Sequence, residues 1–417
     1  MPPGIRKNLL IVATTTGYQL NMFRDAALRV GAEASLATDR CHVLDDPWGD
    51  RAIPVRFADI QESAATFAPE RRFDAVTAIG DRPAYFAALA AKRLNLPFHR
   101  PEAVAAATNK FATRECFRKA GLPVPTYFKL RLDEDPMSAA KQAPYPCVLK
   151  PLGLSTSRGV IRADDPQGFI SAFGRIRKLL KIPSLARLKD PRLDYIQIET
   201  FLPGCEFALD GLVTDGRLQV LALFDKPDPL DGPYFQETIY VSPSRQPFSV
   251  QQAICNTTQA AVTALGLHQG PVHAEMRFDG KYVWMLEVAP RAIGGLCAKA
   301  LAFENGASLE EAIVRHALGE DVSNMRPRAG AAGVMMVPVP RAGVYHSVTG
   351  VPDAEAIVEE VIITAKEGQR VLPLPEGNTY LGFLFAYGKT ALDVEERLRR
   401  AHNVLRFEIA EALPVVV

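Results

Sequence analysis

The chain has 417 residues, 48% hydrophobic and 23% charged, with 29 Gly and 32 Pro. That length exceeds one ordinary core and implies two to four packed domains, while the composition excludes disordered and fibrous classes. A formal net charge of +1 offers no field to recruit nucleic acid or an anionic membrane, so any anion must be held by locally placed charge.

Leu9-Leu10-Ile11-Val12-Ala13 is a short apolar run, too short for a signal-peptide core or a membrane span, and it reads as a buried strand. Thr14-Thr15-Thr16-Gly17 follows, then a helical pattern over 21–30, strands at 34–37 and 74–78, and a helix over 85–94. Strand–helix alternation with runs apolar on both faces predicts a parallel α/β sheet over the first hundred residues. No G-x-G-x-x-G accompanies it, so nothing there specifies a dinucleotide. The six cysteines (Cys41, Cys116, Cys147, Cys205, Cys255, Cys297) form no C-x-x-C pair and are expected to be reduced, mostly buried thiols of a cytosolic protein.

From Asn109 the texture changes. A helix over 109–120 stops at Gly121, with Pro123 and Pro125 beyond. Short strands separated by Gly-rich turns are expected at 147–151, 159–162, 195–201, 206–213 and 218–223. The basic stretch 171–193 reads as a solvated helix and loop, because charge runs usually face water. A helix over 251–265 precedes strands at 272–278 and 282–288 flanking Asp279-Gly280, and another helix covers 309–318. Arg326-Pro327-Arg328 marks a boundary. A small α+β unit follows, with strands at 331–337, 358–364, 380–387 and 405–409 and a helix over 391–403.

Three stretches could carry chemistry. No G-x-x-x-x-G-K-[ST], H-E-x-x-H or G-x-S-x-G occurs. Instead Lys150 ends a strand and leads into a Gly/Ser/Thr loop through Ser155, Ser157 and Gly159. Such a loop exposes amides and hydroxyls suited to closing over a polyphosphate, although a plain hairpin loop with a surface Lys has the same composition. Next, Glu199 to Glu206 runs from a strand end through Pro203-Gly204. It offers backbone groups to a purine edge and a Glu to ribose hydroxyls, or else is a β-turn with solvated acids.

The third stretch is the most specific. His273-Ala274-Glu275 and Glu287-Val288-Ala289-Pro290-Arg291 put two carboxylates on adjoining strands, followed by Gly294-Gly295. An unpaired carboxylate in an apolar strand is costly, and coordination of a hard cation shared with phosphates would relieve that cost. A two-residue turn at Asp279-Gly280 would leave the two Glu on opposite faces. Sharing a metal therefore requires a longer loop or a bulge that centres the pairing near Lys281. His273 could orient substrate or act as a base, or be a structural core histidine.

In this order the pieces resemble the ATP-grasp superfamily, over about residues 1–325. The resemblance implies an α/β and α+β multidomain chain: a parallel α/β domain at 1–105 and an ATP-grasp domain at 106–325. The latter has an antiparallel central sheet and a lid at about 125–200, and an α+β domain at 326–417 completes the chain. It implies Lys110 and Lys150 on the phosphates, Ser155–Gly159 as the lid loop with Ser157 in a catalytic part, and Glu199, Phe201, Leu202 and Leu286 around the purine. Glu206 would take the ribose, Glu275 and Glu287 the magnesium, and Arg291 the acyl phosphate or tetrahedral intermediate.

The family's Glu-x-Asn-x-Arg reads here with Ala289 in the Asn place, so a third protein ligand is missing. The chain after Arg328, and the run from Lys226 to Thr238, resemble L-amino acid ligases, in which Glu237 would receive a substrate ammonium, and His273, Gly294 and Gly295 would join Arg291 around the substrates. The implied protein uses ATP with Mg2+, or Mn2+ in its place. It joins two amino acids through an acyl phosphate, as a cytoplasmic monomer or homodimer without nucleic-acid or membrane partners. The rival readings are a biotin-carboxylase-like subunit activating bicarbonate and a non-catalytic nucleotide-binding protein.

Overall fold

The computed structural model describes residues 6–14, 19–39 and 48–411, so Thr15, Thr16, Gly17 and Cys41 lie outside the described residues. Strands Asn8–Ala13, Glu33–Thr38, Ala52–Pro54 and Ala75–Ile79 form a parallel sheet in which Asn8–Ala13 lies between Glu33–Thr38 and Ala75–Ile79. Leu9 to Ala13 are fully buried, as expected of a strand covered on both faces. Helix Leu20–Val30 stops at Gly31, whose φ of 78° is the left-handed C-cap that a side chain disfavours.

The chain then builds an antiparallel four-stranded sheet. Its order is Tyr127–Arg131, Tyr195–Thr200, Cys147–Pro151, Ile161–Ala163. Helix Pro166–Leu180 covers this lid. Its Phe169, Phe173, Ile176, Leu179 and Leu180 are buried, whereas Arg175 and Lys178 remain exposed. The basic stretch is thus the wet side of an amphipathic helix, and it has a dry side that charge counting does not reveal.

An eight-stranded antiparallel sheet dominates the rest. Its order is Val283–Ala289, Gly270–Phe278, Cys205–Thr214, Arg217–Lys226, Ile239–Ser242, Ala331–Val337, Gly382–Gly388, Glu360–Ile363. Ladder pairs Ile239↔Met335 through Ser242↔Ala332 carry it across Arg328, so strands beyond that boundary extend the central sheet. Helices Lys110–Lys119 and Phe248–Leu265 cover one face through Phe117, Ile254, Ala261 and Val262. On the other face the amino-terminal sheet and helix Leu309–Ala317 close a core around Phe23, Phe224, Ile313 and Phe383. A three-stranded sheet of Arg370–Val371, Gly343–Thr349 and Arg406–Ala410, with helix Ala391–Val404, completes the carboxy-terminal unit.

The five described cysteines are all free, and Cys205 is exposed rather than buried. No helix among the described residues is long and apolar enough to cross a membrane.

Candidate active site

Two carboxylates become neighbours through a bulge. Phe278↔Val283 closes a four-residue loop, and the pairing holds through Met276↔Met285. It then slips by one, so that Glu275 faces Glu287 and His273 faces Ala289. Leu286 is the extra residue. Without the bulge Glu275 would pair with Leu286, and Glu287 would point to the opposite face. The bulged carbonyl of Leu286 accepts a hydrogen bond from Arg114 Nη1 at 3.0 Å.

Strand alternation does the rest. His273, Glu275 and Arg277 share the face that lines a cleft between the lid and the central sheet, while Val272, Ala274 and Met276 enter the core beneath. The cleft is open to solvent, with about 1180 Å³ of empty space in and above it. Lys110, Lys150, Ser155, Ser157, Glu199, Phe201, Leu202, Glu206, Glu237, Leu286, Glu287, Arg291, Gly294 and Gly295 line it as well.

Gly159 does not line the cleft; its N–H donates to Pro375 O at 2.9 Å. Its φ is 73°, and a Cβ there would lie 2.8 Å from Pro151 Cγ, so both conformation and space demand glycine.

The charges are arranged in linked groups. Glu199 is buried and accepts from Arg114 Nε at 2.7 Å, Lys150 Nζ at 2.6 Å and Gln197 Nε2 at 2.5 Å. Burial pushes its pKa up, but Arg114 and Lys150 outweigh that and hold it at about 2. Burial lowers the Lys150 pKa, with Glu199 only partly restoring it. The Glu199 carboxylate is therefore committed to two cations, and its backbone lies in the middle of a strand paired to Tyr127 on one side and Val148 on the other. Lys110 Nζ donates to Leu154 O at 2.7 Å and stands 3.9 Å from Glu287.

Lys226 is a second knot. Its buried ammonium lies 2.9 Å from Glu206, 2.5 Å from Glu237 and 3.2 Å from Glu275. Burial opposes its charge, yet the three carboxylates raise its pKa well above the ordinary lysine value. The other Glu206 oxygen accepts from Arg277 Nε at 2.9 Å, so both oxygens expected to meet a ribose are engaged. Burial and the charge of Glu275 push Glu237 up to about 7. His273 Nδ1 is 3.1 Å from Asp210 and Nε2 is 3.5 Å from Glu275. Burial lowers the His273 pKa, but Asp210 overrides it and raises the ring to about 9.

Arg291 Nε donates to Asp81 Oδ1 at 2.6 Å, although the two residues are 210 positions apart. Asp81 opens helix Asp81–Leu94 of the amino-terminal sheet, which thereby braces an arginine that lines the cleft. Tyr240, Cys297, Met336 and Tyr380 line the end near Glu237, and the last two come from the carboxy-terminal unit.

The donor set bears on a divalent cation. Among the described residues one trio of carboxylates, Glu206, Glu237 and Glu275, is close enough to grip an ion, but Lys226 already neutralises it. Glu275, whose contacts with Lys226 and His273 fall on a single oxygen, and Glu287, its partner on the same face, are 18% and 29% exposed and offer hard oxygens toward the cleft, and these fit. Ala289 adds no donor.

Sequence reasoning did not single out Asp81, Arg114, Asp210, Lys226, Arg277, Tyr240, Met336 or Tyr380. Lys226 alone gave a signal, as a lysine opening a stretch already set apart by resemblance.

Residues 143–300 match the family described as ATP-grasp domain, and residues 335–410 match L-amino acid ligase C-terminal domain 2. The chain thus carries an ATP-grasp domain match within the mixed fold above. Its carboxy-terminal domain is of the L-amino acid ligase type. An L-amino acid ligase from Bacillus licheniformis superposes with a TM-score of 0.78 at 24% identity, over 98% of this chain and 100% of that one. Phosphoribosylglycinamide synthetase from Anaerococcus prevotii gives 0.67 at 17%, over 97% and 100%.

Alanine–anticapsin ligase of Bacillus amyloliquefaciens is 26% identical over 219 residues, which are 50% of this chain and 46% of that protein. The chain thus spans about half the length of the ligases it matches by sequence. An uncharacterized protein of Sinorhizobium fredii is 22% identical over 76% of this chain and 65% of its own length.

Proposed function

We propose that the chain is an ATP-dependent carboxylate–amine ligase that joins two amino acids through an acyl phosphate, giving a dipeptide, ADP and phosphate. The observation that carries this reading is the Glu275–Glu287 pair on one face of the cleft, with Lys110, Lys150 and Arg291 around it. When bound, ATP and its magnesium supply the phosphoryl group and neutralise charge on it.

Lys150 and Lys110 meet the phosphate oxygens, and Glu199 fixes the position of Lys150 so that little is reorganised during transfer. The Ser155–Ser157 loop closes over the phosphates and excludes water, which would hydrolyse an acyl phosphate. Phe201, Leu202 and Leu286 flank the purine, and Glu275 and Glu287 hold the cation. Glu237 receives a substrate ammonium beside His273. The amine of the second amino acid attacks the acyl carbon. Arg291, steadied by Asp81, then faces the oxyanion with the backbone of Gly294 and Gly295.

The test is a screen of amino-acid pairs with ATP and Mg2+, reading phosphate release and dipeptide mass together, with bicarbonate plus biotin as a separate arm. Hydroxylamine added with one amino acid would trap the acyl phosphate as a hydroxamate. Phosphate release with no dipeptide and no hydroxamate from any pair would overturn the reading.

A further inference from the structure

The lid is tied to the carboxy-terminal unit at one point. Arg175, on the wet side of helix Pro166–Leu180, forms a two-pronged ion pair with Glu376, at 2.5 Å and 2.8 Å. Arg158 Nε, in the loop itself, donates to the Glu376 carbonyl at 2.9 Å. The Gly159 N–H donates to the Pro375 carbonyl at 2.9 Å. Four hydrogen bonds, from two parts of the lid, thus converge on two successive residues. Tyr234 braces the same place, since its hydroxyl bonds Arg175 and its backbone bridges Ile161.

We propose, building on the ligase reading, that Glu376 clasps the lid over the cleft, making Arg158, Arg175 and Glu376 positioning residues for the loop that carries Ser155 and Ser157. The clasp touches no reacting atom. Its effect passes through the loop, because Gly159 and Arg158 directly follow Ser157, whose backbone occupies the left-handed region at φ 54° and has little latitude.

The chemistry of the contact suits a gate. Arg175 and Glu376 are 42% and 34% exposed at their side chains, and an exposed ion pair is weak enough to open in every turnover. Its planar two-pronged geometry and the two backbone bonds fix the direction of closure. Glu376 also shares its loop with Tyr380, which lines the cleft beside Glu237. The clasp and the substrate wall are therefore parts of one short segment, and substrate against Tyr380 steadies the residue that holds the lid.

The experiment compares wild type with Arg175→Met, Glu376→Gln and the charge exchange R175E/E376R. The first readout is phosphate released per dipeptide formed. The clasp predicts a ratio near one in wild type, a rise of about threefold or more in each single variant as water reaches the acyl phosphate, and recovery in the exchange. The second readout is amide exchange over residues 152–160, which needs no ligation. Exchange should quicken in both single variants and slow again in R175E/E376R.

Unchanged exchange in both single variants, in proteins that melt like wild type, would overturn the clasp. Quicker exchange in both single variants, where even the wild type makes no dipeptide, would leave the clasp standing and remove the ligase reading. Quicker exchange with an unchanged phosphate-to-dipeptide ratio would also overturn the proposal, since the lid would then open without consequence.

Discussion

Asp81, the first residue of a helix in the amino-terminal sheet, accepts a hydrogen bond from Arg291, which follows the last strand of the Glu275–Glu287 hairpin. Burial opposes the charge of the carboxylate, but Arg291 overrides it and keeps Asp81 ionised below the usual carboxylate range. The amino-terminal unit therefore acts on the cleft through this ion pair and through the bond from Gln19 to the Ile293 carbonyl. Asp81→Asn keeps the size and removes the charge. Turnover should fall about tenfold or more, because Arg291 loses the anion that orients it. Steady-state phosphate release against ATP concentration checks this.

Glu287→Ala removes the more exposed of the two carboxylates that face each other across the hairpin. The expected loss is on the order of a hundredfold in ADP formation dependent on paired amino acids. Titration of Mn2+ by electron paramagnetic resonance, with ADP present, should show weakened cation binding in the same protein. Activity within a few-fold of wild type would contradict the assigned role.

Lys226→Met leaves Glu206, Glu237 and Glu275 facing one another without their shared ammonium. Removing one partner of a buried ion network costs about 3–5 kcal/mol. Urea unfolding at pH 7 should show a loss of that order. Part of it should return at pH 5, where a raised carboxyl such as Glu237, at about 7 in the intact protein, takes up a proton.

Glu199 gives the acid limb of stability its sign. Its folded pKa of about 2 lies below the ordinary value of 4.5, so its contribution is complete above pH 4.5 and is lost as pH falls toward 2. Thermal melts from pH 6 to pH 3 should fall more steeply in wild type than in Glu199→Gln. The variant should start lower, because Arg114 and Lys150 lose their common anion.

The sequence announces what depends on local runs and withholds what depends on meetings between them. Apolar strands such as Cys147–Pro151 and Ala331–Val337 are legible because each fills its own pattern. Ile239–Ser242 is four residues long and ends at a proline, too short to stand out, yet it joins the two halves of the large sheet. Spacing alone shows that Glu275 and Glu287 need a bulge or a longer loop. The bulge falls at Leu286, a backbone event that no side chain advertises.

The motif residues gather in one cleft largely as their order suggests. Their partners do not follow from order, because Asp81, Arg114, Lys226 and Glu376 reach the site from separate elements. A composition argument cannot pair Glu199 with Arg114 in place of a nucleotide, since both are simply charged residues until the fold removes water from between them.

The ladder from Ile239 to Ser242 against Ala332 to Met335 has one more consequence. A shortened protein ending near Arg328 would keep every residue assigned to phosphate and cation, yet it would strip Ile239–Ser242 of its neighbour. An uncovered row of amides and carbonyls invites a second copy to dock there. The truncated form should come out of expression as aggregate, and the two units should be exchanged between relatives as one piece rather than shuffled separately.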